Sequence, residues 1–221
     1  MWNVPAMWLT IVAAVAFCAG QPCIAARPSA GDIAAGSGDA QTLRNLQVAY
    51  NGESNAHARY LTFAQKAKEE SYPEVAALFT AAAHSEQIHA NNHAAVIREM
   101  GGRPQMTLDQ PVVRSTRENL QAALKGETFE RDTLYPGFLD QARATGNRRA
   151  IRTFNFAKAT EAEHARLYAA MLDAPSSWSG TDVSYYVCPV CGNTVDALTF
   201  ARCPVCSTPK GRFQRFRPAA S

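Results

Sequence analysis

Residues 159–168 read ATEAEHARLY and place Glu161 and His164 three positions apart, in a segment whose apolar residues follow a helical spacing. The same Glu-x-x-His pattern occurs earlier in the chain as Glu86 and His89. Positions i and i+3 of a helix lie on one face, so the carboxylate and the imidazole of each pair point the same way. Two such pairs on separate helices are typical of four-helix bundles that hold two metal ions in the core.

The chain around these pairs is rich in Ala, Glu and Leu, and its apolar residues recur at alternating steps of three and four. The joins after the first and third helical stretches are tight, whereas residues 101–113 are long enough to cross a bundle. Pro136 is expected to kink the third helix. The sequence therefore predicts an all-α domain over residues 41–174, a four-helix bundle with one long crossover. Its helices are placed at residues 42–70, 73–100, 114–145 and 147–172.

Glutamates occupy positions in each helical stripe that should be apolar. A single glutamate on a helix is more often solvated than buried, but a repeated set is not explained in this way. Glu53 precedes Glu86 by 33 positions and Glu127 precedes Glu161 by 34, so the chain resembles two copies of one helical hairpin. Buried carboxylates are costly unless they are paired or bind a metal. Carboxylates with one or two imidazoles suit iron or manganese better than copper or a closed zinc site.

Glu130 lies one helical turn beyond Glu127 and is a candidate fifth carboxylate. Four glutamates balance the charge of two ferrous ions, and oxidation to the diferric state adds two positive charges. A fifth carboxylate and an oxo or hydroxo bridge offset that increase. The other histidines of the bundle, His57, His84 and His93, are expected at the surface or around the ligands rather than among them.

A second, smaller domain is predicted at residues 185–217, after a linker-like stretch at 175–184. It contains CPVCG and CPVC, two C-x-x-C pairs with eleven residues between them. So short a segment does not hold a fold without an added cross-link, which here is a four-cysteine metal site. The spacing leaves structural zinc and iron both open, and disulfides are a third alternative in an exported protein. The expected ligands are Cys188, Cys191, Cys203 and Cys206.

The first 26 residues carry no charged side chain, and residues 7–19 form an apolar run of signal-peptide length. Cleavage near Ala25 or Ala26 predicts an exported, periplasmic protein in which residues 27–40 are a linker. The alternative is an uncleaved N-terminal membrane anchor, since residues 1–26 also lack the basic residues of a usual signal peptide. The net charge of +3 is spread without long runs, which argues against a nucleic-acid partner.

Over residues 42–216 the chain resembles the rubrerythrin family. The resemblance implies a ferritin-like diiron bundle followed by a rubredoxin-like domain that holds one iron, with zinc as the alternative metal there. The matching stretches are NGESNAHARY (51–60), SYPEVAALFTAAAHSEQIHA (71–90), ENLQAALKGETFERDTLYPGF (118–138), ATEAEHARLY (159–168) and the two cysteine motifs.

The resemblance also implies roles for individual residues. Glu130 is expected to exchange with His89 at one iron on redox change, and Tyr60 and Tyr135 are expected to line the diiron pocket. The four cysteines are expected to hold the mononuclear iron. The implied diiron ligands are Glu53, Glu86, His89, Glu127, Glu130, Glu161 and His164.

The implied activity is a peroxidase that reduces hydrogen peroxide to water, with electrons returned singly by a donor protein or reductase through the four-cysteine iron. A head-to-tail homodimer is implied as well, in which the small domain of one subunit lies beside the diiron site of its partner. Two alternatives stay open: a ferroxidase or iron-storage protein with a structural zinc ribbon, and a bundle that binds a metal or partner without catalysis. The fused four-cysteine domain argues against storage, since storage needs no electron return.

Overall fold

The computed structural model describes residues 30–180 and 182–218. The predicted leader, residues 1–26, lies outside the described residues, and so do the expectations of cleavage or anchoring. Within the part that is described, no helix combines the length and the apolar character needed to cross a bilayer.

Five helices form the bundle, and the ferritin-like architecture predicted from the sequence is confirmed. α2 begins with a proline, whose missing N–H is not needed in the first turn. A capping box between Ser115 and Glu118 starts α3, and the side chain of Asn147 accepts from the Ala150 N–H at the start of α5. The helices are α1 (Ala30–Glu69), α2 (Pro73–Glu99), α3 (Thr116–Phe129), α4 (Tyr135–Ala144) and α5 (Arg148–Asp173).

The predicted linker at residues 27–40 is wrong over most of its length, because α1 already begins at Ala30. Gly38, within this stretch, allows close packing on Thr145 at the end of α4. A Cβ at Gly38 would lie 2.5 Å from Cγ2 of Thr145. Gln141 donates a hydrogen bond to the Gly38 carbonyl, and the hydroxyls of Thr42 and Thr145 are 3.3 Å apart.

The predicted third helix is interrupted by a π turn at Glu130–Leu134 rather than bent by proline alone. The N–H of Tyr135 bonds to the carbonyl of Glu130, five residues back, and this wider turn makes room for Pro136 just after it. A π turn absorbs one extra residue, so the eight positions from Glu127 to Tyr135 span about seven regular steps, or about two turns. Both side chains therefore face the same way.

The long crossover predicted between α2 and α3 is present, and it runs along α1. Two asparagine side chains of α1 form hydrogen bonds with the backbone of the crossover. Asn51 accepts from the Thr107 N–H at 2.8 Å. Asn55 donates to the Thr107 carbonyl at 2.9 Å and accepts from the Asp109 N–H at 2.8 Å. These bonds satisfy backbone groups that the extended crossover would otherwise leave unpaired.

The C-terminal domain is a small antiparallel sheet in the order β2-β1-β3, with β1 at Tyr185–Val187, β2 at Thr194–Val195 and β3 at Gln214–Phe216. We call this domain the module. Tyr185 and Val187 pack into the apolar core of the bundle, so the module is joined to it through side chains. The preceding linker is also ordered against the bundle, because Trp178 is buried and donates from Nε1 to the Met171 carbonyl at 2.7 Å.

The apolar core of the bundle falls into two separate clusters. On α1, Leu46 belongs to one cluster and Phe63 to the other, and Glu53 lies between them. On α5 the corresponding residues are Phe154 and Tyr168. The predicted ligands thus form a polar layer between two apolar layers, and each of the long helices passes through all three.

Candidate metal centre

Six of the seven predicted diiron ligands come together in the polar layer, and each is at most 1% exposed. Their ligand atoms form two groups of four, and the atoms within a group all lie within 4.8 Å of one another. Glu86 and Glu161 belong to both groups. The first group adds Glu53 and His89, and the second adds Glu127 and His164.

The two shared carboxylates each face both imidazoles. Nδ1 of His89 lies 2.9 Å from Oε2 of Glu86 and 3.2 Å from Oε1 of Glu161. Nδ1 of His164 lies 3.0 Å from Oε1 of Glu86 and 3.0 Å from Oε2 of Glu161. Each shared carboxylate therefore offers one oxygen to each group, which is the arrangement of a ligand that bridges two metals.

The unshared carboxylates are oriented by tyrosines. Tyr135 donates its hydroxyl hydrogen to Oε1 of Glu53, and Tyr60 does the same to Oε1 of Glu127. The second oxygen of each of these carboxylates is buried without a hydrogen-bond partner. Each tyrosine thus holds one oxygen and leaves the other directed into the cluster.

Buried polar atoms without partners concentrate in this cluster. Both oxygens of Glu161, Oε1 of Glu86 and Nδ1 of His164 have no partner of hydrogen-bond geometry, in addition to the two oxygens described above. Buried polar atoms are rarely left unpaired, because each one costs about 1–3 kcal/mol. Oxygen and imidazole ligands around two positions fit divalent iron or manganese.

The four module cysteines form a second site. Cys188, Cys191 and Cys203 are buried, Cys206 is half-buried, and their sulfurs lie within 4.8 Å of one another. The separations of 3.5 Å between Cys188 and Cys206 and 3.6 Å between Cys191 and Cys203 are too long for disulfides. Hydrogen bonds from Cys191 and from two backbone amides lower the pKa of the Cys188 thiol to about 4, which favours the thiolate form that binds a metal.

Comparison with known proteins adds to this geometry. The family model for rubrerythrin matches residues 44–172. The chain is 37% identical to nigerythrin from Nitratidesulfovibrio vulgaris over 179 residues, which is 79% of this chain and 86% of that protein. It is 38% identical to rubrerythrin-2 from Clostridium acetobutylicum, over 80% of this chain and 98% of that protein.

The chain belongs to the rubrerythrin family. Among solved structures, it superimposes on fully reduced, all-ferrous nigerythrin with a TM-score of 0.74 at 35% identity, over 79% of this chain and 86% of that one. A bacterioferritin from Desulfovibrio desulfuricans matches at 22% identity with a TM-score of 0.60, over 66% of this chain and 86% of that one, which shows a shared fold. The two groups of carboxylates and histidines are thus a rubrerythrin-type diiron site, accompanied by a four-cysteine site.

Burial and the mutual proximity of the ligands favour the protonated forms of Glu53, Glu127 and His89. Burial and the neighbouring carboxylates raise the pKa of Glu53 well above its usual value and that of Glu127 to about 8. Burial works against the charge of His89, but Glu161 and Glu86 outweigh it and raise the pKa of His89 to about 10. Metal binding must displace these protons, so metal affinity increases with pH.

Glu130, the seventh predicted ligand, is not brought into either group of four. It is half-buried at the first position of the π turn, three residues beyond Glu127. Burial, followed by the charges of Glu127 and Glu161, raises the pKa of Glu130 well above its usual value, and the guanidinium of Arg59 opposes this. Its role as a ligand stays a prediction.

His93 is buried beside the site, so of the two places expected for it the structure selects the one around the ligands. Nε2 of His93 lies 3.2 Å from the Tyr135 hydroxyl, and its Nδ1 lies 3.0 Å from Oγ1 of Thr153. The Tyr135 hydrogen is donated to Glu53, so His93 donates from Nε2 and accepts at Nδ1. Burial lowers the pKa of His93 to about 3, which keeps it in this neutral form.

The module of the same chain covers the outer side of the diiron histidines. Nε2 of His89 lies 3.1 Å from the Cys191 carbonyl, and Nε2 of His164 lies 3.1 Å from Oγ1 of Thr194. The family resemblance implies that a partner's module lies beside this site, whereas here the chain's own module does so. The two metal sites are thus in contact within one chain, and the head-to-tail homodimer stays a prediction.

Proposed function

We propose that the protein is a peroxidase that reduces hydrogen peroxide to water, with electrons entering through an iron held by the four cysteines. The observation that carries the proposal is the direct contact of the Cys191 carbonyl with His89, which joins the two sites through one hydrogen bond. An iron-storage protein has no use for such a contact.

When bound, two ferrous ions supply the two electrons and act as Lewis acids toward the peroxide oxygens. One peroxide, two electrons and two protons then give two waters.

The side chains of the diiron site have different roles in the proposed reaction. Glu53, Glu127 and the shared carboxylates hold the metals, while Tyr60 and Tyr135 fix the orientation of the unshared carboxylates. Glu130 lies outside the two ligand groups and His89 lies inside, which is one of the two arrangements in the proposed exchange of these residues. Glu130 is the most exposed of the predicted diiron ligands. It is therefore the residue best placed to bind a metal and to dissociate from it.

Peroxide is proposed to approach from the Glu130 side, because the other six ligands are at most 1% exposed. A cavity of about 530 Å³ lies there, between the crossover, α1 and the end of α3. Arg59, Lys125, Gly126 and Phe129 line it, and the Arg59 guanidinium lies 5.4 Å from the ring centre of Tyr60. This cavity therefore extends to residues that neighbour Glu127 and Glu130 in the chain.

The electron donor is proposed to bind the module near Cys206, the most exposed of the four cysteines. Exposed Arg202 donates to the Ser207 carbonyl at 3.1 Å, directly beside this cysteine, and Lys210 lies nearby on the loop. Two cations at this edge favour a one-electron donor protein with an acidic surface. Export by the predicted leader is proposed as well, and it would restrict the donor to the periplasm or its membrane.

Steady-state kinetics of the fully iron-loaded protein test the proposed function. With a reduced one-electron donor, donor oxidation should require hydrogen peroxide and should consume two electrons for each peroxide. A ferroxidase would instead oxidise added ferrous iron repeatedly without a donor and would form a mineral product. Donor oxidation no faster than with free ferrous iron would contradict the peroxidase.

A further inference from the structure

One short loop of the module, residues 188–194, contacts both histidines of the diiron site. We call this loop the first knuckle. The Cys191 carbonyl of this loop accepts a hydrogen bond from Nε2 of His89, and the Thr194 hydroxyl accepts one from Nε2 of His164, both at 3.1 Å. Since His89 belongs to α2 and His164 to α5, the loop holds imidazoles from two different helices at once.

When His89 and His164 are neutral, as metal binding requires, the hydrogen bonds of the first knuckle select one tautomer in both rings. A carbonyl only accepts, so His89 donates from Nε2 to Cys191. Thr194 donates its hydroxyl hydrogen to the Gly192 carbonyl at 2.9 Å, which leaves its oxygen to accept from Nε2 of His164. A neutral imidazole with its hydrogen on Nε2 has a lone pair on Nδ1, and in both residues Nδ1 faces the shared carboxylates. This is the tautomer that metal binding requires.

The close approach of the first knuckle explains the glycine at position 192. The backbone conformation does not explain this glycine, although φ is +81° at Gly192. Ser207 occupies the matching position of the second cysteine pair, and it carries a side chain at φ of +64°. A Cβ at Gly192 would lie 2.5 Å from Nε2 of His89 and 2.6 Å from Oγ of Ser85. Contact with the bundle therefore excludes a side chain here.

Further hydrogen bonds tie the loop to the ligand-bearing helices. Ser85 donates to the Gly192 carbonyl at 2.7 Å, and Asn92 donates to the Val190 carbonyl at 3.0 Å. The Thr160 hydroxyl of α5 lies 3.0 Å from the Phe156 carbonyl and 3.3 Å from the Cys191 carbonyl, which also accepts from His89. Three successive carbonyls of the loop thus accept from the bundle, so a change in the shape of the loop must alter the surroundings of both histidines.

We propose that metal binding by the four cysteines increases the affinity of the diiron site for its own metals. The reason is that the first knuckle carries two of the cysteine ligands, Cys188 and Cys191, and also orients His89 and His164. Removing the partners that orient a histidine ligand typically lowers metal affinity about 10- to 100-fold. The coupling is reciprocal, so metals in the diiron site strengthen binding at the cysteines by the same factor. It requires no electron transfer and is independent of the reaction catalysed.

Manganese titration of the full chain tests this coupling, because Mn²⁺ favours carboxylate and imidazole ligands over thiolates. Mn²⁺ binding is followed by loss of the electron paramagnetic resonance signal of free Mn²⁺. One preparation carries one zinc on the cysteines, and the other is stripped of zinc and kept reduced. The zinc-bound form should bind Mn²⁺ at least about tenfold more tightly. Equal affinity in the two forms would overturn the proposal.

Variants separate the knuckle contacts from general effects. In the zinc-bound form, Gly192→Ala and Thr194→Val should each weaken Mn²⁺ binding at least about tenfold. Gly146→Ala is the control for backbone strain, since Gly146 has φ of +67° and open space around its Cβ position. Thr208→Val is the control for a lost hydroxyl, because Thr208 lies 3.1 Å from the Cys206 sulfur in the second pair.

Both control variants should bind Mn²⁺ as the unmodified protein does. Circular dichroism and thermal unfolding show which variants fold. If Gly192→Ala does not fold, Thr194→Val carries the test, because valine has the shape of threonine. Unchanged Mn²⁺ affinity in a folded Thr194→Val protein would overturn the proposal, as would an equal loss in Thr208→Val.

Discussion

Three buried tyrosines surround the diiron site, and replacing each by phenylalanine should have a different and predictable effect on stability. Tyr135 serves two buried groups, since it donates to Glu53 and accepts from His93. Tyr60 donates to Glu127 alone. The hydroxyl of Tyr168 is buried without a hydrogen-bond partner. The three positions therefore form a graded series within one protein.

The magnitudes follow from the number of groups left without a partner. An unsatisfied buried polar group costs about 1–3 kcal/mol, so Tyr135→Phe should lower the free energy of unfolding by about 2–6 kcal/mol. Tyr60→Phe leaves one such group and should cost about 1–3 kcal/mol. Tyr168→Phe removes a hydroxyl that is already unpaired, so the free energy of unfolding should stay the same or increase.

Urea denaturation of the diiron-free protein, with zinc kept on the cysteines, measures these differences. Helical circular dichroism follows the bundle, and an unchanged dependence on urea concentration shows that the same surface is exposed in each variant. Tyr168→Phe serves as the matched control for loss of a buried hydroxyl. If Tyr135→Phe were no more destabilising than Tyr168→Phe, the network that links His93, Tyr135 and Glu53 would be refuted.

Three further predictions concern the site and its approach. Glu130→Ala should slow peroxide turnover yet leave binding of two metals largely intact, as measured by metal analysis and steady-state rates; unchanged turnover would contradict the exchange with His89. The raised pKa of Glu127, about 8, means that the folded metal-free protein holds a proton that the unfolded chain releases near pH 4.5. In urea denaturation, the free energy of unfolding of the metal-free protein should therefore decrease as the pH rises from 4.5 to about 8. Glu127→Gln should make this decrease smaller. Gly126→Leu should partly fill the approach cavity and slow the reaction of the diferrous site with peroxide in stopped-flow measurements. Gly137→Leu, at a second helical glycine with open space around it, should have no such effect.

The bundle and most of its ligands could be predicted because metal ligands break the apolar pattern of a helix. Glu53 and Glu127 stand where a leucine or alanine is expected, and such violations repeat at nearly equal spacing in both halves. His93 occupies the same helical face as His89, one turn further on. This position indicates that His93 is buried, but a histidine fits an exposed position equally well.

Other features depend on tertiary contacts that no local pattern encodes. The π turn has no residue signature of its own, and Pro136 predicts only that the helix is disturbed near that point. Gly38 and Thr42 of α1 pack on Thr145, and this contact between distant parts of the chain has no local sequence pattern. The position of the module depends on close contact between Gly192 and His89, which are far apart in sequence.

The proposed function requires that one chain hold a peroxide-reducing diiron site and an iron–thiolate site in direct contact. Anaerobic titration of the fully reduced, iron-loaded protein with hydrogen peroxide, followed by visible absorption, tests it most directly. We expect about three irons per chain and full oxidation at about 1.5 equivalents of peroxide, with the ferric–thiolate absorption developing as peroxide is consumed. Oxidation of the diiron site that leaves the thiolate site reduced, or a thiolate site that holds only zinc, would rule out electron entry through the cysteine-bound iron.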